Sequence, residues 1–204
     1  MRIFAAAFAL FAAAVAACAT PDAVVAQAQA QPAATQRFVL DGAHTQVAFS
    51  INRFGFTYIL GRFDTVAGEV NLDQANPERS SVNATIQTAS VSAGDATRDE
   101  HLRGDRWLNA AQFPTMTFES TGVTRTGEST ATVTGNLTIK GVTQPATLNV
   151  TLNQIGRNPA TGGQAAGFSA TTTISRAAFG INTAPNLIGD EIRITIEALG
   201  VAQQ

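Results

Sequence analysis

Cysteine, histidine and charged residues are scarce in this chain of 204 residues, and each scarcity argues against a class of protein. A single cysteine excludes an intrachain disulfide, and two histidines without a cysteine pair argue against a built-in zinc site. Only 14% of the residues are charged and the net charge is -2, so no basic surface is available for nucleic acid. The chain also has no glycine-rich phosphate loop and no serine nucleophile elbow. We therefore expect no cofactor, no metal, no catalytic residue and no nucleic-acid partner.

Apolar residues that recur at every second position are, by contrast, abundant after Phe38. This period is typical of antiparallel strands with one buried face and one wet face. The alternation predicts strands over residues 38–41, 45–53, 62–72, 80–91, 115–123, 129–140, 144–153, 166–175 and 190–199. Because closure removes exposed strand edges, so many strands favour a closed all-β antiparallel barrel or a sandwich. A barrel of about eight strands either fills its interior with side chains or holds one small ligand.

The first 36 residues are expected to serve export and not the fold. Residues 1–17 combine a short basic start with a continuous apolar run, which is typical of a signal peptide. Residues 15–18, Val-Ala-Ala-Cys, resemble the bacterial lipobox, in which Cys18 becomes lipidated. Residues 18–36 then form a flexible tether rich in Ala, Gln and Pro, and residues 37–204 form one barrel domain. We expect a periplasmic protein tethered to a membrane; the alternative is cleavage near residues 26–28 and release in soluble form.

One segment interrupts the strand pattern. Thr97 and Glu100 have the spacing of a capping box, with Thr97 as the N-cap, and Gly104 is a stop signal. These residues predict a short helix, which is followed by the apolar pair Trp107 and Leu108. A helix placed between barrel strands and followed by large apolar side chains is expected to cover an open end of the barrel.

Five segments between Phe38 and Leu199 resemble, in order, motifs of the YceI-like family. They are Leu40-Asp41-x-x-His44-Thr45-x-Val47-x-Phe49, Arg98-Asp99-Glu100-His101-Leu102, Phe113-Pro114-Thr115-Met116-Thr117-Phe118, residues 135–143 (GNLTIKGVT), and Ser175-Arg176-x-x-Phe179-Gly180-Ile181. The resemblance implies an exported, lipocalin-like barrel that binds a polyisoprenoid or similar long-chain lipid along its axis. It also implies a carrier or a stress-response protein and not an enzyme, and it is compatible with a homodimer.

Two arginines are the candidates for binding a polar head group. Arg53 lies six residues after Val47, so the period-two alternation places it on the same inward face. An anionic head group could pair with it there. The family often has histidine at this place. The alternative is that Arg53 lies at the rim and pairs with Asp64 or Glu69, or reaches water. Arg62 is the second candidate.

Apolar residues on the inward faces are expected to line the lumen and contact a lipid chain, or to pack as plain core. This set comprises Phe49, Ile51, Phe54, Phe56, Phe63, Met116, Phe118, Val133, Leu137, Leu148, Phe168 and Ile194. Two other functions stay open. One is an enzyme that acts on an apolar substrate with His44 or His101 as its acid–base group. The other is a ligand-free stress or interaction protein whose lumen is filled by its own side chains.

Overall fold

A computed structural model describes residues 35–203 of the chain. The signal peptide, Cys18 and most of the tether therefore lie outside the described residues. The described part contains eleven strands and one α-helix. They are β1 (Gln36–Leu40), β2 (Gln46–Arg53), β3 (Thr57–Phe63), β4 (Val66–Leu72), β5 (Ser81–Gln87), β6 (Val91–Ser92), α1 (Ala96–Arg103), β7 (Thr115–Arg125), β8 (Thr130–Ile139), β9 (Val142–Arg157), β10 (Gln164–Ser175) and β11 (Ile188–Ala202).

Eight of these strands form a closed antiparallel barrel, one of the two architectures that the alternation favoured. Their order around the ring is β1-β4-β5-β7-β8-β9-β10-β11, and β11 pairs back to β1, with Phe38 opposite Ala202. The ring has no free edge because every strand has a hydrogen-bonded neighbour on both sides. Inward residues of β7 and β8, with Phe179 and Ile181, form the best-buried apolar cluster, which comprises Met116, Phe118, Val133, Leu137, Ile139, Phe179 and Ile181.

The remaining strands branch from β11 at one end of the barrel. β2 pairs with β11 over most of its length, β3 pairs with β2, and the two-residue strand β6 pairs with the end of β3. The predicted strand over residues 62–72 is therefore two strands, β3 and β4, and the first of them begins at Thr57. The turn between β2 and β3 depends on Phe54 and Gly55, whose φ angles of 58° and 74° reverse the chain.

Helix α1 ends at the predicted residue but begins earlier than predicted. Its N-cap is Asp95 and not Thr97, because the Asp95 carboxylate accepts a hydrogen bond of 2.8 Å from the backbone N–H of Arg98. The N–H of Gly104 closes the helix by donating to the carbonyls of Glu100 and His101. None of the helices in the described part of the chain combines the length and apolarity needed to span a bilayer.

Candidate binding site in the barrel lumen

The barrel encloses two neighbouring apolar cavities, so its interior is not filled by its own side chains. The first, which we call the lid chamber, has a volume of about 610 Å³, within the usual range for ligand pockets. Strands β2, β3, β7, β8, β10 and β11 form its apolar wall, and helix α1 with Trp107 and Leu108 covers it. The wall comprises Val47, Phe49, Ile51, Ile59, Phe63, Val91, Met116, Ile139, Ile174, Phe179, Ile181, Ile188, Ile192 and Ile194.

Two phenylalanines give the lid chamber its shape near β2 and β3. The rings of Phe49 and Phe63 lie 5.7 Å apart between centroids, in a tilted arrangement that favours aromatic pairs. Gly61 lies opposite Phe49 on β3, and a Cβ at this position would overlap the Phe49 ring. Glycine is therefore required here because the ring lies directly against the backbone of β3.

Helix α1 is fixed over the chamber by polar contacts to the segment that precedes it. The Arg98 guanidinium donates to the carbonyl of Ala93 at 2.8 Å, and the backbone N–H of Ala93 donates to the Asp99 carboxylate at 2.6 Å. Arg103 donates to the carbonyls of Ala89 and Val91 at 2.9 and 3.1 Å. The lid is thus held by charged side chains bonded to backbone, which are among the stronger hydrogen bonds in proteins.

The segment after the helix is held by two further contacts. The Lys140 ammonium, in the turn between β8 and β9, donates to the carbonyl of Asp105 at 3.1 Å. The Thr183 hydroxyl donates to the carbonyl of Arg106. These contacts position Trp107 directly after them, so that its indole ring lines the lid chamber.

Charged groups gather at the lid chamber and are mostly cationic. Arg53, Arg98 and Arg176 line it together with one carboxylate, Asp95, so the arginines exceed the carboxylates by two. Arg53 is exposed at the end of β2, at the rim of the chamber, and its guanidinium carbon lies 4.1 Å from the centroid of the Phe54 ring. Among residues 35–203 Arg53 forms no ion pair within 4.0 Å. An anionic group that enters this chamber therefore meets a surplus of positive charge.

Arg176 is the most unusual of these cations because its side chain is buried. Only 3% of the residue is exposed, and its guanidinium donates to four carbonyl oxygens at 2.7 to 2.9 Å. Burial lowers the pKa of Arg176, and the charge of nearby Asp190 offsets part of that effect. Two of the carbonyls, those of Ile181 and Thr183, belong to the segment between β10 and β11, which completes the wall of the lid chamber. The other two, those of Ile188 and Gly189, belong to the first residues of β11.

The same segment is also anchored through Asp190. Its carboxylate accepts from the backbone N–H of Ala177 at 2.9 Å. Hydrogen bonds from the Ser175 side chain and from Ala177 hold the pKa of Asp190 below its ordinary value, and the Arg176 charge adds to this shift. Arg176 belongs to one of the five family-like motifs, but the sequence did not identify it as a site residue. Its partners are backbone carbonyls, which leave no side-chain pattern in the sequence.

The second cavity, which we call the distal chamber, has a volume of about 350 Å³. It lies between the other inward residues of the barrel, and the turn between β7 and β8 contributes to its mouth. Arg125 and Glu128 are its only charged lining residues, and Arg125 donates to the carbonyls of Gly127 and Glu128 within that turn. The distal chamber is therefore apolar inside and carries no surplus charge.

Most of the lining residues predicted from the sequence lie in one chamber or the other. Phe49, Ile51, Phe63 and Met116 line the lid chamber, together with the head-group candidate Arg53. Ile194 lines both chambers, and the distal chamber contains Phe118, Val133, Leu137, Leu148 and Phe168.

Three predicted site residues lie elsewhere. Phe54 and Phe56 belong to the turn between β2 and β3, where Phe56 is 92% exposed, because the chain reverses there and does not continue as a strand. Arg62 lies on the outward face of β3 and pairs with Asp64 at 2.6 Å. Asp64 is thus occupied by Arg62, and Glu69 pairs with Arg37, so neither carboxylate neutralises Arg53.

The two histidines are far from equivalent. His44 lies in the turn after β1, outside both chambers, and contacts the Asp41 carboxylate at 2.7 Å. The hydrogen bond from His44 holds the pKa of Asp41 below its ordinary value. His101 lines the lid chamber from helix α1. Among the described residues no group of three or more His, Cys, Asp or Glu side chains could hold a metal ion.

Comparison with known proteins assigns this architecture to a family. Residues 38–199 match the model of the YceI-like domain. The chain is 40% identical over 146 residues to a UPF0312 protein of Shewanella sp. strain W3-18-1, covering 71% of this chain and 76% of that protein. It is 39% identical over 168 residues to a UPF0312 protein of Azotobacter vinelandii, covering 81% and 87%.

Solved structures share the same barrel. BcnA of Burkholderia cenocepacia superimposes with a TM-score of 0.72 at 27% identity, covering 78% of this chain and 98% of that one. A polyisoprenoid binding domain from Saccharophagus degradans has a TM-score of 0.57 at 17% identity and covers 83% of this chain and 99% of that one. The second similarity is one of fold.

Proposed function

Since this chain belongs to the YceI-like family, we propose that it is an exported binding protein that holds a long-chain amphiphile in its lumen. A polyisoprenoid or a similar lipid is the ligand class, and transport, storage or stress protection is the role. The observation that carries this proposal is the apolar lid chamber of about 610 Å³, covered by a helix and lined by more arginines than carboxylates. The fold shared with a polyisoprenoid binding domain supports the ligand class.

Apolar contacts alone are strong enough to hold such a ligand. Burying a chain of about 40 carbons at roughly 0.8 kcal/mol per methylene would give about 30 kcal/mol, above the ceiling of about 18–21 kcal/mol for non-covalent complexes. A ligand efficiency of about 0.3 kcal/mol per atom gives roughly 12 kcal/mol, which corresponds to nanomolar affinity. The polar contact then sets orientation and specificity more than affinity.

The charges of the lid chamber favour an anionic head group at that end. Arg53 is the cation best placed to meet it, because it lines the chamber from the end of β2 and has no carboxylate partner among the described residues. Arg98 and Arg176 already donate to backbone carbonyls. They therefore add positive electrostatic potential to the chamber but offer few free hydrogen-bond donors. A carboxylate or phosphate head would accept from the Arg53 guanidinium in a bidentate geometry.

The head-group assignment predicts a charge-specific effect of Arg53→Gln. Titrations followed by the fluorescence of Trp107, the single tryptophan of the chain, compare hexadecanoic acid with its uncharged methyl ester. We expect the variant to bind the acid about tenfold more weakly, because a hydrogen bond to a charged group contributes about 1.5 kcal/mol or more. Binding of the ester should stay unchanged.

Arg62→Gln is the matched control, since Arg62 lies on the outward face of the neighbouring strand and pairs with Asp64. It should leave the affinity for both probes unchanged. If Arg53→Gln weakened the binding of the acid and of the ester equally, Arg53 would support the chamber wall and would not bind the head group.

The proposal includes a periplasmic location and a tether through a lipidated Cys18, with soluble release as the alternative. The apolar run of residues 1–17 and the Val-Ala-Ala-Cys sequence support it. Homodimer formation is likewise a proposal that rests on the family resemblance.

His101, at the lid, is the histidine that an acid–base function would have to use, since His44 lies outside both chambers.

A further inference from the structure

The lid and distal chambers adjoin inside the barrel. On β7, β8 and β10, inward residues two positions apart fall in different chambers, so the division passes between them on each of these strands. Val47 of β2 and Ile194 of β11 line both chambers, so the two spaces adjoin at these side chains. The divided pairs, lid chamber first, are Met116 and Phe118, Ile139 and Leu137, and Ile174 and Thr172.

The two chambers also differ in volume, about 610 Å³ against about 350 Å³, and in charge. The surplus of arginine is confined to the lid chamber, whereas Arg125 at the distal mouth is bonded within its own turn. These differences favour a head group at the lid and a tail that points towards the distal chamber.

We propose that the distal chamber is a tail-end subsite that selects ligands by chain length, with Val47 and Ile194 as the junction that the tail must pass. This inference rests on the proposed function. A short chain is accommodated by the lid chamber alone, whereas a long chain passes the junction and buries its end among distal residues such as Ala170 and Leu148. Each further methylene removed from water strengthens binding by about fourfold until the distal chamber is filled.

Trp107 allows a direct test on the unmodified protein, because it is the single tryptophan and lines only the lid chamber. Bromine quenches tryptophan fluorescence at short range. Docosanoic acid carrying bromine on the carbon next to the carboxylate is compared, at saturation, with docosanoic acid carrying bromine on its terminal carbon. We expect strong quenching by the first probe and weak quenching by the second, because the terminal carbon lies beyond the junction.

A variant that fills the distal chamber tests the length selection. Ala170→Phe places a ring where Ala170, 7% exposed, now lines only the distal chamber. We expect the affinity for docosanoic acid to fall at least tenfold, with decanoic acid changed less than twofold, because several methylenes are excluded at about fourfold each. The terminal bromine should then quench Trp107 more strongly, since the tail is forced back into the lid chamber.

Ala67→Phe is the control, because Ala67 is exposed on strand β4 and should alter neither affinity nor quenching. Equal quenching by the two bromine positions, or stronger quenching from the terminal carbon, would overturn the two-chamber assignment while leaving lipid binding intact. Absence of quenching by either acid would overturn the proposed function and this inference with it. The bromine comparison needs no substitution, so it decides the matter even if Ala170→Phe fails to fold.

Discussion

Replacing Arg176 with methionine is expected to lower the free energy of unfolding by about 3–5 kcal/mol, the largest stability effect that we anticipate for one substitution. The guanidinium donates to four carbonyls between residues 181 and 189, and it is almost fully buried. Methionine retains the apolar length of the side chain but leaves buried acceptors without donors, each of which costs about 1–3 kcal/mol when water cannot reach it. Urea denaturation followed by circular dichroism measures the change.

Arg193→Met is the matched control for this prediction. Arg193 is an exposed arginine on β11 that pairs with Glu191 at 3.0 Å, and hydrogen bonding to Glu191 raises the pKa of Arg193. Exposed ion pairs contribute little to stability, so this variant should be much less destabilised than Arg176→Met. If the two variants lost similar free energies of unfolding, the four hydrogen bonds from Arg176 to carbonyls would not stabilise the wall of the lid chamber.

Ile51→Trp is expected to weaken the binding of a long-chain lipid by roughly fiftyfold without unfolding the protein. Ile51 is an inward residue of β2 in the wall of the lid chamber, and an indole ring there would occupy space that the ligand needs. Excluding about three methylenes costs about 2.4 kcal/mol, or about fiftyfold in affinity. Isothermal titration calorimetry with hexadecanoic acid measures the loss, and the melting temperature verifies the fold.

Ser50→Trp makes the same substitution one residue earlier, on the outward face of β2 opposite Leu60. Its affinity should match that of the unmodified protein, because the ring points away from the lumen. An Ile51→Trp variant that binds the lipid normally would place the ligand outside the lid chamber.

The period-two pattern was sufficient to predict half-buried antiparallel strands because it depends only on which face of each strand is buried. Phe49, Met116 and Leu137 follow that rule, and all three line a chamber. The rule fails where the chain leaves the strand. Phe54 and Phe56 are apolar but out of phase with the alternation of β2, and the positive φ angles of Phe54 and Gly55 place them in a turn outside the lumen.

Two features of the structure were missed, one of them local and one dependent on the folded chain. The start of helix α1 was predicted at Thr97, but Asp95 competes for the same role, and its carboxylate accepts from the Arg98 N–H and caps the helix two residues earlier. The role of Arg176 depends on carbonyls up to 13 residues away, and carbonyls are common to every residue. The one available signal was an arginine between the apolar residues Ile174 and Phe179, where a charge needs an internal partner.

Native mass spectrometry of the protein isolated without detergent from the envelope of its own host shows whether the barrel carries a lipid. We expect a population heavier than the polypeptide by the mass of one long-chain amphiphile, which dissociates on activation and is missing from Ile51→Trp isolated in the same way. A protein that carries no lipid in repeated preparations, and acquires none when mixed with envelope extract, would overturn the proposed binding function.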